Sequence, residues 1–381
     1  VQQYGPFLWN RLISREAAIE NAFKALTDDT TLLCFCVPQQ CHGETIVWTW
    51  ETFFKGRDYE EAIILLKHHV EQKEGVKVKE VSTPKPSIDP TEDGISHINV
   101  YSKGKTELGR LLSNFAHVPF EHPEHGHFSS VEGFWYWLST NKHQNDFRGL
   151  YGFKAKQVGK LLQEELRKTG QQAHIDGFKQ EIKKAIFYKI TQNDSLKSLL
   201  KSSTLPLTHY YVYGEPPDAR LSFPTEYDWI HEYISDIREW LNGRPGLLLI
   251  AGSRDYSNYE EFEKYFFESR YKPIMIIQGG AKGTDRLGHL LAKELEIPEL
   301  VVEAKWDKID EQGKTYFDKA AGMLRNGIMV GQCDSSFVVW DGKSPGTKNT
   351  IQRLQKAKKN IFLVLIKPEG SKQAKVEEID I

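Results

Sequence analysis

The 381-residue chain has little cysteine, almost no net charge and no long apolar run, and each shortage argues against a class of protein. Four cysteines are too few for a disulfide framework, so we expect a reducing, cytoplasmic location. The net charge of -2 provides no bulk basic field for nucleic acid. No run reaches the roughly 18 apolar residues that a membrane span needs, so no membrane partner is expected.

Three glycine-containing turns follow apolar strands in the last third of the chain. They span 252–254, 279–285 and 342–347, and the second and third open helices. A helix N-terminus presents unpaired N–H groups and partial positive charge, and glycine lets phosphate oxygens approach the backbone. These turns therefore predict a site for a nucleotide-like ligand, although tight turns also need glycine for conformational reasons alone.

Strands and helices alternate around these turns, which predicts a doubly wound parallel sheet with its carboxyl edge as the ligand site. The predicted strands are 247–251, 274–277, 299–303, 337–340 and 361–366, and the predicted helices are 258–269, 284–295, about 316–330 and 347–358. A further amphipathic helix around 229–241 is expected to pack on this sheet.

Five linked motifs occupy the same region. They are G-S-R-x-Y at 252–256, G-G-A-x-G-T-D-R at 279–286, Trp306 with Gly313-Lys314, A-G-x-x-R-N at 321–326, and W-D-G-x-S-x-G-T at 340–347. From about 247 to 367 the chain resembles the SLOG superfamily, which implies a Rossmann-like domain that binds nucleotides or NAD-derived molecules. The P-G-G-x-G-T-x-x-E signature of the N-ribohydrolase branch is missing, so hydrolysis is not expected of this domain.

The resemblance implies a set of nucleotide-binding residues. Arg254 and Arg325 would clamp phosphates, and Asp285 would accept a hydrogen bond from a ribose hydroxyl. Surface ion pairs for the arginines and a helix N-cap for Asp285 are the alternatives. The full set is Gly252, Ser253, Arg254, Gly279, Gly280, Gly283, Thr284, Asp285, Arg325, Asn326, Gly346 and Thr347.

Glu132 is the candidate catalytic residue in the middle of the chain. The run 129–132, Ser-Ser-Val-Glu, is typical of a capping box that opens a helix. Alternatively, its carboxylate lies at the mouth of a pocket, where it holds a ribose hydroxyl or stabilises a developing oxocarbenium ion. A helix N-terminus lowers a carboxyl pKa. The sequence therefore predicts an ionised base or electrostatic stabiliser.

Motifs around this glutamate form a second recognisable pattern. They are Y-S at 101–102, L-S-N-F at 112–115, S-V-E at 130–132 and K-A-x-x-x-K-I-x-Q-N at 184–193. From about 99 to 218 the chain resembles the NADAR family, which implies cleavage of N-glycosidic bonds to ribose, including removal of ADP-ribose from guanine. Glu132 would be catalytic, and the substrate-binding residues would be Ser113, Asn114 and Phe115 on a pocket strand, together with Trp135.

Two features of the middle region leave alternatives open. Phe134, Trp135 and Trp137 would offer a stacking face, or they would pack in the core. The closing signature of the family, W-G-x-G followed by G-x-N-x-L-G, is replaced by the run 208–215. A domain that has kept its pocket but lost one wall could bind a ligand without cutting it.

Three of the cysteines are crowded near the N-terminus. Cys34, Cys36 and Cys41 with His42 could hold zinc, but C-x-C and adjacent C-H are not the usual spacing of a structural site. No metal is assigned, and buried thiols remain the alternative. This part resembles a small uncharacterised C-x-C-x4-C-H-G domain of bacteria and phages. The chain begins with Val1, so we expect that preceding residues were removed or that the natural protein starts earlier.

The sequence therefore predicts a multidomain chain. A small α/β accessory domain (1–75) is followed by a linker (76–97), a mainly helical α+β NADAR-like domain (98–220), an α/β doubly wound, Rossmann-like SLOG domain (221–370) and a charged, frayed tail (371–381).

Two functional hypotheses follow. The first is an enzyme, an N-glycosidase that acts without metal or other cofactor on an ADP-ribose or ribosyl-nucleotide conjugate such as ADP-ribosylated guanine. The second is a non-catalytic sensor or sequestering protein for an NAD-derived signal in phage defence or counter-defence. The expected partners are a nucleotide small molecule, modified guanine in nucleic acid as a further option, and a second copy of the chain as another.

Overall fold

A computed structural model describes residues 23–26, 46, 49–55, 62, 66, 88–140, 145–171, 175–214, 220–309, 312–366 and 375–379. Cys34, Cys36, Cys41 and His42, the candidate metal ligands of the sequence analysis, lie outside the described residues. The chain divides into two compact units, Val1–Ser87 with Asn258–Tyr271, and Ile88–Ser257 with Lys272–Ile381. No helix in the described residues is long and apolar enough to cross a membrane.

The described residues contain ten α-helices and fourteen strands. The helices are α1 (Glu107–Leu112), α2 (Val131–Ser139), α3 (Gly152–Lys168), α4 (Phe178–Thr191), α5 (Asp194–Ser202), α6 (Asp228–Leu241), α7 (Tyr259–Glu268), α8 (Thr284–Glu294), α9 (Ala321–Gln332) and α10 (Pro345–Lys356). The strands are β1 (Ile98–Asn99), β2 (Phe120–His122), β3 (Gly126–Phe128), β4 (Leu207–Thr208), β5 (Tyr211–Tyr213), β6 (Arg220–Ser222), β7 (Leu247–Gly252), β8 (Met275–Gln278), β9 (Glu299–Val301), β10 (Asp307–Ile309), β11 (Thr315–Phe317), β12 (Ser335–Trp340), β13 (Asn360–Leu365) and β14 (Lys375–Ile379).

In the first unit, the described residues include the turn of π-helix Trp50–Phe54 and the helix α7. The α7 helix falls within the predicted helix 258–269. Its Phe262 and Phe266 are buried. The side chains of Phe23 and Phe54 pack at a ring-centroid distance of 5.0 Å.

A six-stranded sheet organises the C-terminal half of the second unit. Its order is β14-β13-β12-β7-β8-β9, and every pairing is parallel except that of β14. Numbered along the chain, this is the 3-2-1-4-5-6 order of doubly wound sheets, whose direction reverses between β7 and β12. The predicted parallel sheet is confirmed.

Helices cover both faces of this sheet. Successive strand residues face opposite sides. Ile250 of β7 faces Gly288 of α8, where a side chain on that glycine would meet Ile250 carbons. Its neighbour Leu249 packs with Met329 of α9 and Ile351 of α10. A strand that is covered on both faces is apolar along its whole length, as the sequence of β7 is.

Two segments of the C-terminal half differ from the sequence prediction. The helix predicted to start near 316 begins instead at α9, and the preceding residues form an antiparallel hairpin of β10 and β11. The tail predicted to fray contains β14, which pairs with β13. In both places backbone pairing with a neighbouring strand decides the conformation, and a local pattern does not report such pairing.

The middle of the chain is mainly helical, with α1–α5 around three short strand pairs: β1 with β4, β2 with β3, and β5 with β6. The helix α6 joins this region to the sheet. Tyr233 Oη donates to the carbonyl of Ile274, at 3.1 Å. Ile234 and Ile237 belong to the same hydrophobic cluster as the buried residues of α2 and α4. The described parts of 98–220 and 221–370 therefore share a core.

The described end of the expected linker, 88–97, is packed against the middle region. The carboxylate of Asp93 is buried and accepts hydrogen bonds from the backbone N–H groups of Asn99 and Lys105, at 3.0 and 2.7 Å. His97 Nε2 lies 2.7 Å from Tyr210 Oη in the core. These bonds tie the segment to β1 and to the residues that follow β4.

Candidate functional site

Glu132 lies in the first turn of α2 and does not form the capping box that opens this helix. The N-cap is Ser130, whose hydroxyl accepts from the Gly133 N–H at 2.9 Å, and the Glu132 N–H donates to the carbonyl of Asn114 at 2.9 Å. The capping-box interpretation is therefore wrong, because the cap begins one residue later than Ser129. The glutamate side chain is left available for another task.

The carboxylate of Glu132 is buried and unusually basic. The residue is 9% exposed, and no hydrogen bond to its carboxylate is found among the described residues. Burial raises its pKa to about 7, against the opposing charges of Lys156 and Lys160. The expectation of an ionised group is corrected, because desolvation outweighs the helix N-terminus here. Near neutral pH this group can both donate and accept a proton.

Three tyrosines lie within electrostatic reach of this carboxylate: Tyr136 on α2, Tyr211 on β5 and Tyr227 just before α6. Burial raises the pKa of all three, that of Tyr211 to about 12, and the nearby Glu132 adds to each rise. They are therefore neutral hydrogen-bond donors at physiological pH. Tyr211 comes from the run 208–215 that replaces the closing signature of the resembled family.

The residues 113–115 form a turn after α1, where the resemblance implies a strand. The buried Lys189 of α4 supports this turn, since its ammonium donates to the carbonyls of Leu112 and Ser113 at 3.1 and 2.8 Å. Burial lowers the pKa of Lys189 to about 7. The Oδ1 atom of Asn114 is buried and has no hydrogen-bond partner among the described residues. The turn thus presents an unsatisfied acceptor beside the start of α2.

Two of the three aromatic residues proposed as a stacking face lie in the core, and the third lies where α2 meets other helices. Phe134 and Trp137 are buried in the main hydrophobic cluster, which confirms core packing for these two. Trp135 is half-buried and packs edge-on to Phe178 at 4.8 Å and to Tyr227 at 5.9 Å. It therefore holds α2, α4 and the start of α6 together.

The pKa of Glu132 has a measurable consequence for stability. Since its folded pKa lies above the ordinary value of 4.5, the protonated group favours the fold at low pH, and this contribution is lost as pH rises through about 7. Relative to the Glu132→Gln variant, the wild type should lose roughly 2–3 kcal/mol of unfolding free energy between about pH 5 and pH 8. Urea unfolding of both proteins at the two pH values measures this. An equal difference at both would contradict the raised pKa.

The strand ends at the direction reversal of the sheet are joined through Ser253. Its N–H donates to the carbonyl of Val339 on β12 at 2.9 Å, and its hydroxyl accepts from the Asp341 N–H at 3.0 Å. Its carbonyl accepts from the N–H and the hydroxyl of Thr284 on α8, both at 3.2 Å. Ser253 therefore fixes the ends of β7 and β12 and the start of α8 as one edge.

Asp285 and Arg325 brace the second glycine turn. The Oδ2 atom of Asp285 accepts from the N–H groups of Gly279 and Ala281, both at 3.2 Å, and lies 3.8 Å from Arg325 Nη1. Arg325 also donates to the Gly279 carbonyl and, at 3.1 Å, to Asn326 Oδ1. The alternative interpretation of Asp285 as a helix N-cap is wrong, since the N-cap is Gly283.

The third glycine turn, 342–347, is linked to Arg325 by hydrogen bonds through Asn326. Asn326 Nδ2 donates to the carbonyl of Gly346 at 3.4 Å, and the buried Thr347 donates from its hydroxyl to Ser344 Oγ at 3.1 Å. Asp341 Oδ1 accepts from the N–H groups of Lys343 and Ser344 at 2.9 and 2.7 Å. The starts of α8 and α10 are thus held in one hydrogen-bonded network.

Arg254 differs from Arg325 in being exposed. The positive charge of Arg254 nevertheless acts on Arg325. Burial lowers the pKa of Arg325, and the nearby Arg254 lowers it further. Asp285 acts in the opposite direction and raises that pKa, so Arg325 is a largely buried cation paired with a carboxylate.

Residues far apart in the chain complete both sites, and sequence reasoning missed them. Lys189 lies within the K-A-x-x-x-K stretch at 184–189, and that spacing is its local signal in the sequence. Tyr211 lies in the run 208–215, which departs from the pattern of the resembled family. Tyr227 carries no local signal, because only the packing of α6 against α2 and α4 brings it near Glu132.

Comparison with known proteins adds little to this geometry. No family model matches the chain, and no curated protein matches it. Among solved structures, DNA processing protein A (DprA) from Streptococcus pneumoniae matches over 61% of this chain and 84% of that chain, with 16% sequence identity and a TM-score of 0.26. The chain is a mixed α/β protein that contains a largely parallel sheet.

Proposed function

We propose that this protein hydrolyses an N-glycosidic bond between ribose and a base in an ADP-ribose or ribosyl-nucleotide conjugate. The observation that carries the proposal is the carboxyl group of Glu132, which is nine-tenths buried and has a pKa of about 7. A carboxyl group whose pKa burial has raised toward neutrality suits a residue that both gives and takes a proton.

The chemistry needs only that group and water. Protonated Glu132 donates its proton to the nitrogen of the leaving base as the C1′–N bond breaks, and the electron pair of the bond departs with the base. The resulting oxocarbenium ion takes up water at C1′, and the Glu132 carboxylate accepts the water proton. The neutral hydroxyl groups of Tyr211 and Tyr227 would orient the ribose or the water by hydrogen bonds.

The carboxyl edge of the sheet, which carries the three glycine turns, would bind the phosphates of the same or a second nucleotide. Arg254 supplies an exposed guanidinium for this task, and the network of Asp285, Arg325 and Asn326 keeps the turns in place. Thus Arg325 and Asp285 act through the turn at least as much as through direct contact with a ligand.

Replacement of Arg254 with alanine should weaken ADP-ribose binding by about tenfold to a hundredfold, because a charge-assisted bond to phosphate is lost. The melting temperature should not change, since the side chain is exposed. Isothermal titration calorimetry with ADP-ribose measures the effect. Arg220→Ala, which removes an exposed arginine of β6, is the matched control. Equal weakening in both variants would mean that only the overall charge matters.

The test of the proposed function is a substrate panel read by mass spectrometry. Purified protein is incubated with NAD, ADP-ribose, cyclic ADP-ribose isomers and an ADP-ribosylated guanosine oligonucleotide, alongside Glu132→Gln. Release of free base with ADP-ribose or ribose phosphate, dependent on Glu132, supports an N-glycosidase. Ligand that is bound and recovered unchanged supports the sensor or sequestering function instead. That alternative is favoured by the replaced closing segment, 208–215, because a pocket that has lost one wall could bind a ligand without cutting it.

A further inference from the structure

The β2–β3 hairpin and α4 bring together two histidines and two glutamates that the proposed reaction does not use. His122 ends β2, Glu124 and His125 lie in the turn, and Glu181 lies in the first turn of α4. One donor atom from each of the four lies within 4.8 Å of the others. Imidazole nitrogen and carboxylate oxygen are both donors that zinc accepts.

The distances between these donors resemble those between neighbouring ligands of one ion. Glu181 Oε2 lies 3.4 Å from His122 Nε2 and 3.2 Å from His125 Nε2. With metal–ligand bonds of about 2.0–2.1 Å, adjacent corners of a tetrahedron are roughly 3.3–3.4 Å apart. The Glu181 oxygen therefore already lies at about this spacing from each of the two imidazole nitrogens.

The surroundings hold the donors in place yet leave the cluster open to solvent. The His122 side chain is fully buried, and its ring stacks on Phe134 at 5.0 Å and on His125 at 4.6 Å. The side chains of His125 and Glu181 are 18% and 23% exposed. An ion can therefore reach two of the donors from water.

Lys184 provides the competing explanation, an ion-pair network without metal. Its ammonium lies 3.0 Å from Glu181 Oε1 and 2.8 Å from Glu124 Oε2. The two oxygens of Glu181 are thus divided, with Oε1 toward the ammonium and Oε2 toward the two imidazoles. An ion can therefore bind Oε2 while Lys184 stays on Oε1.

We infer that His122, His125 and Glu181 bind a zinc ion, with Glu124 or water in the fourth position. The ion would fasten the β2–β3 hairpin to α4 behind Phe134, on the helix that carries Glu132. The sequence analysis assigned no metal, and the only local signal for this site is the pair of histidines three residues apart.

The test is titration of the metal-free chain, residues 1–381, with Zn²⁺ by calorimetry and with Co²⁺ by visible absorption. We expect one equivalent bound through nitrogen and oxygen, with the d–d absorption of tetrahedral Co²⁺. His125→Ala should weaken this binding by at least about a hundredfold. His127→Ala is the matched control, because His127 belongs to the same hairpin but pairs with the exposed Glu121. It should bind as the wild type does.

A folding defect and a second site are controlled separately. Circular dichroism of the metal-free variants checks that both fold, and Zn²⁺ should raise the melting temperature of the wild type and His127→Ala but not of His125→Ala. Co²⁺ bound at Cys34, Cys36 and Cys41 would show an intense thiolate charge-transfer band in the near ultraviolet. The zinc site is overturned if no ion binds, if only that band appears, or if His125→Ala binds as tightly as the wild type.

Discussion

Glu132→Gln should reduce turnover by about a thousandfold on any substrate that the wild type cleaves, while ligand affinity stays within a few-fold. Glutamine keeps the shape of the side chain but cannot donate a proton to the leaving base or accept one from water. Single-turnover kinetics followed by mass spectrometry measure the chemical step, and calorimetry with the same ligand measures binding.

The pH dependence of the wild type sharpens this prediction. If protonated Glu132 is the acid, the rate of bond cleavage should fall as pH rises through about 7, the pKa that burial gives this group. Glu121→Gln is the matched control, since that glutamate is exposed in the β2–β3 hairpin. It should leave the rate and its pH profile unchanged. A Glu132→Gln variant that cleaves at the wild-type rate would remove Glu132 from the mechanism.

Gly283→Ala should cost more than about 3 kcal/mol of unfolding free energy. Gly283 has φ +73°, and a Cβ atom there would run into the backbone carbonyl groups of Ser253 and Arg254. Those groups cannot rotate away, because Ser253 joins β7, β12 and α8. Urea unfolding measures the loss, and calorimetry should show that nucleotide binding is lost with it.

Gly280→Ala in the same turn separates collision from backbone strain. Gly280 has φ +67°, but the nearest atom to its added Cβ is a Val301 methyl carbon at 3.4 Å. We expect a cost of about 1 kcal/mol, the ordinary penalty for a left-handed residue with a side chain. If both variants lose equal stability, the turn relaxes more than its hydrogen bonds indicate, and its proposed rigidity is wrong.

The regular elements of the C-terminal half could be predicted because their signals are local. Apolar runs at β7, β8 and β12 and helical periodicity at α7, α8 and α10 need no knowledge of the rest of the chain. The hairpin of β10 and β11 was missed for the opposite reason. Its residues are mostly exposed, so no apolar pattern marks them as strands.

In the candidate site, too, local features could be predicted from sequence and contacts between distant segments could not. Glu132 and the glycine turns could be located from sequence, because a helix start and a strand end both have recognisable residues. The protonation state of Glu132 could not be predicted from sequence, because its pKa depends on burial by segments distant in the chain. The partners of Asp285 were equally hidden, since Arg325 belongs to a helix that tertiary packing brings to the turn.

The sequence by itself determined which residues form the strands of the sheet, where glycine must stand at their ends, and which carboxyl groups lie at helix starts. Only the tertiary structure decided what those groups do. It buried Glu132, bound Asp285 to the second glycine turn, placed Lys189 against the carbonyls of Leu112 and Ser113, and brought His122, His125 and Glu181 together. Backbone preferences act over a few residues, whereas desolvation, charge pairing and shared ligands depend on distances between segments that meet only in the folded chain.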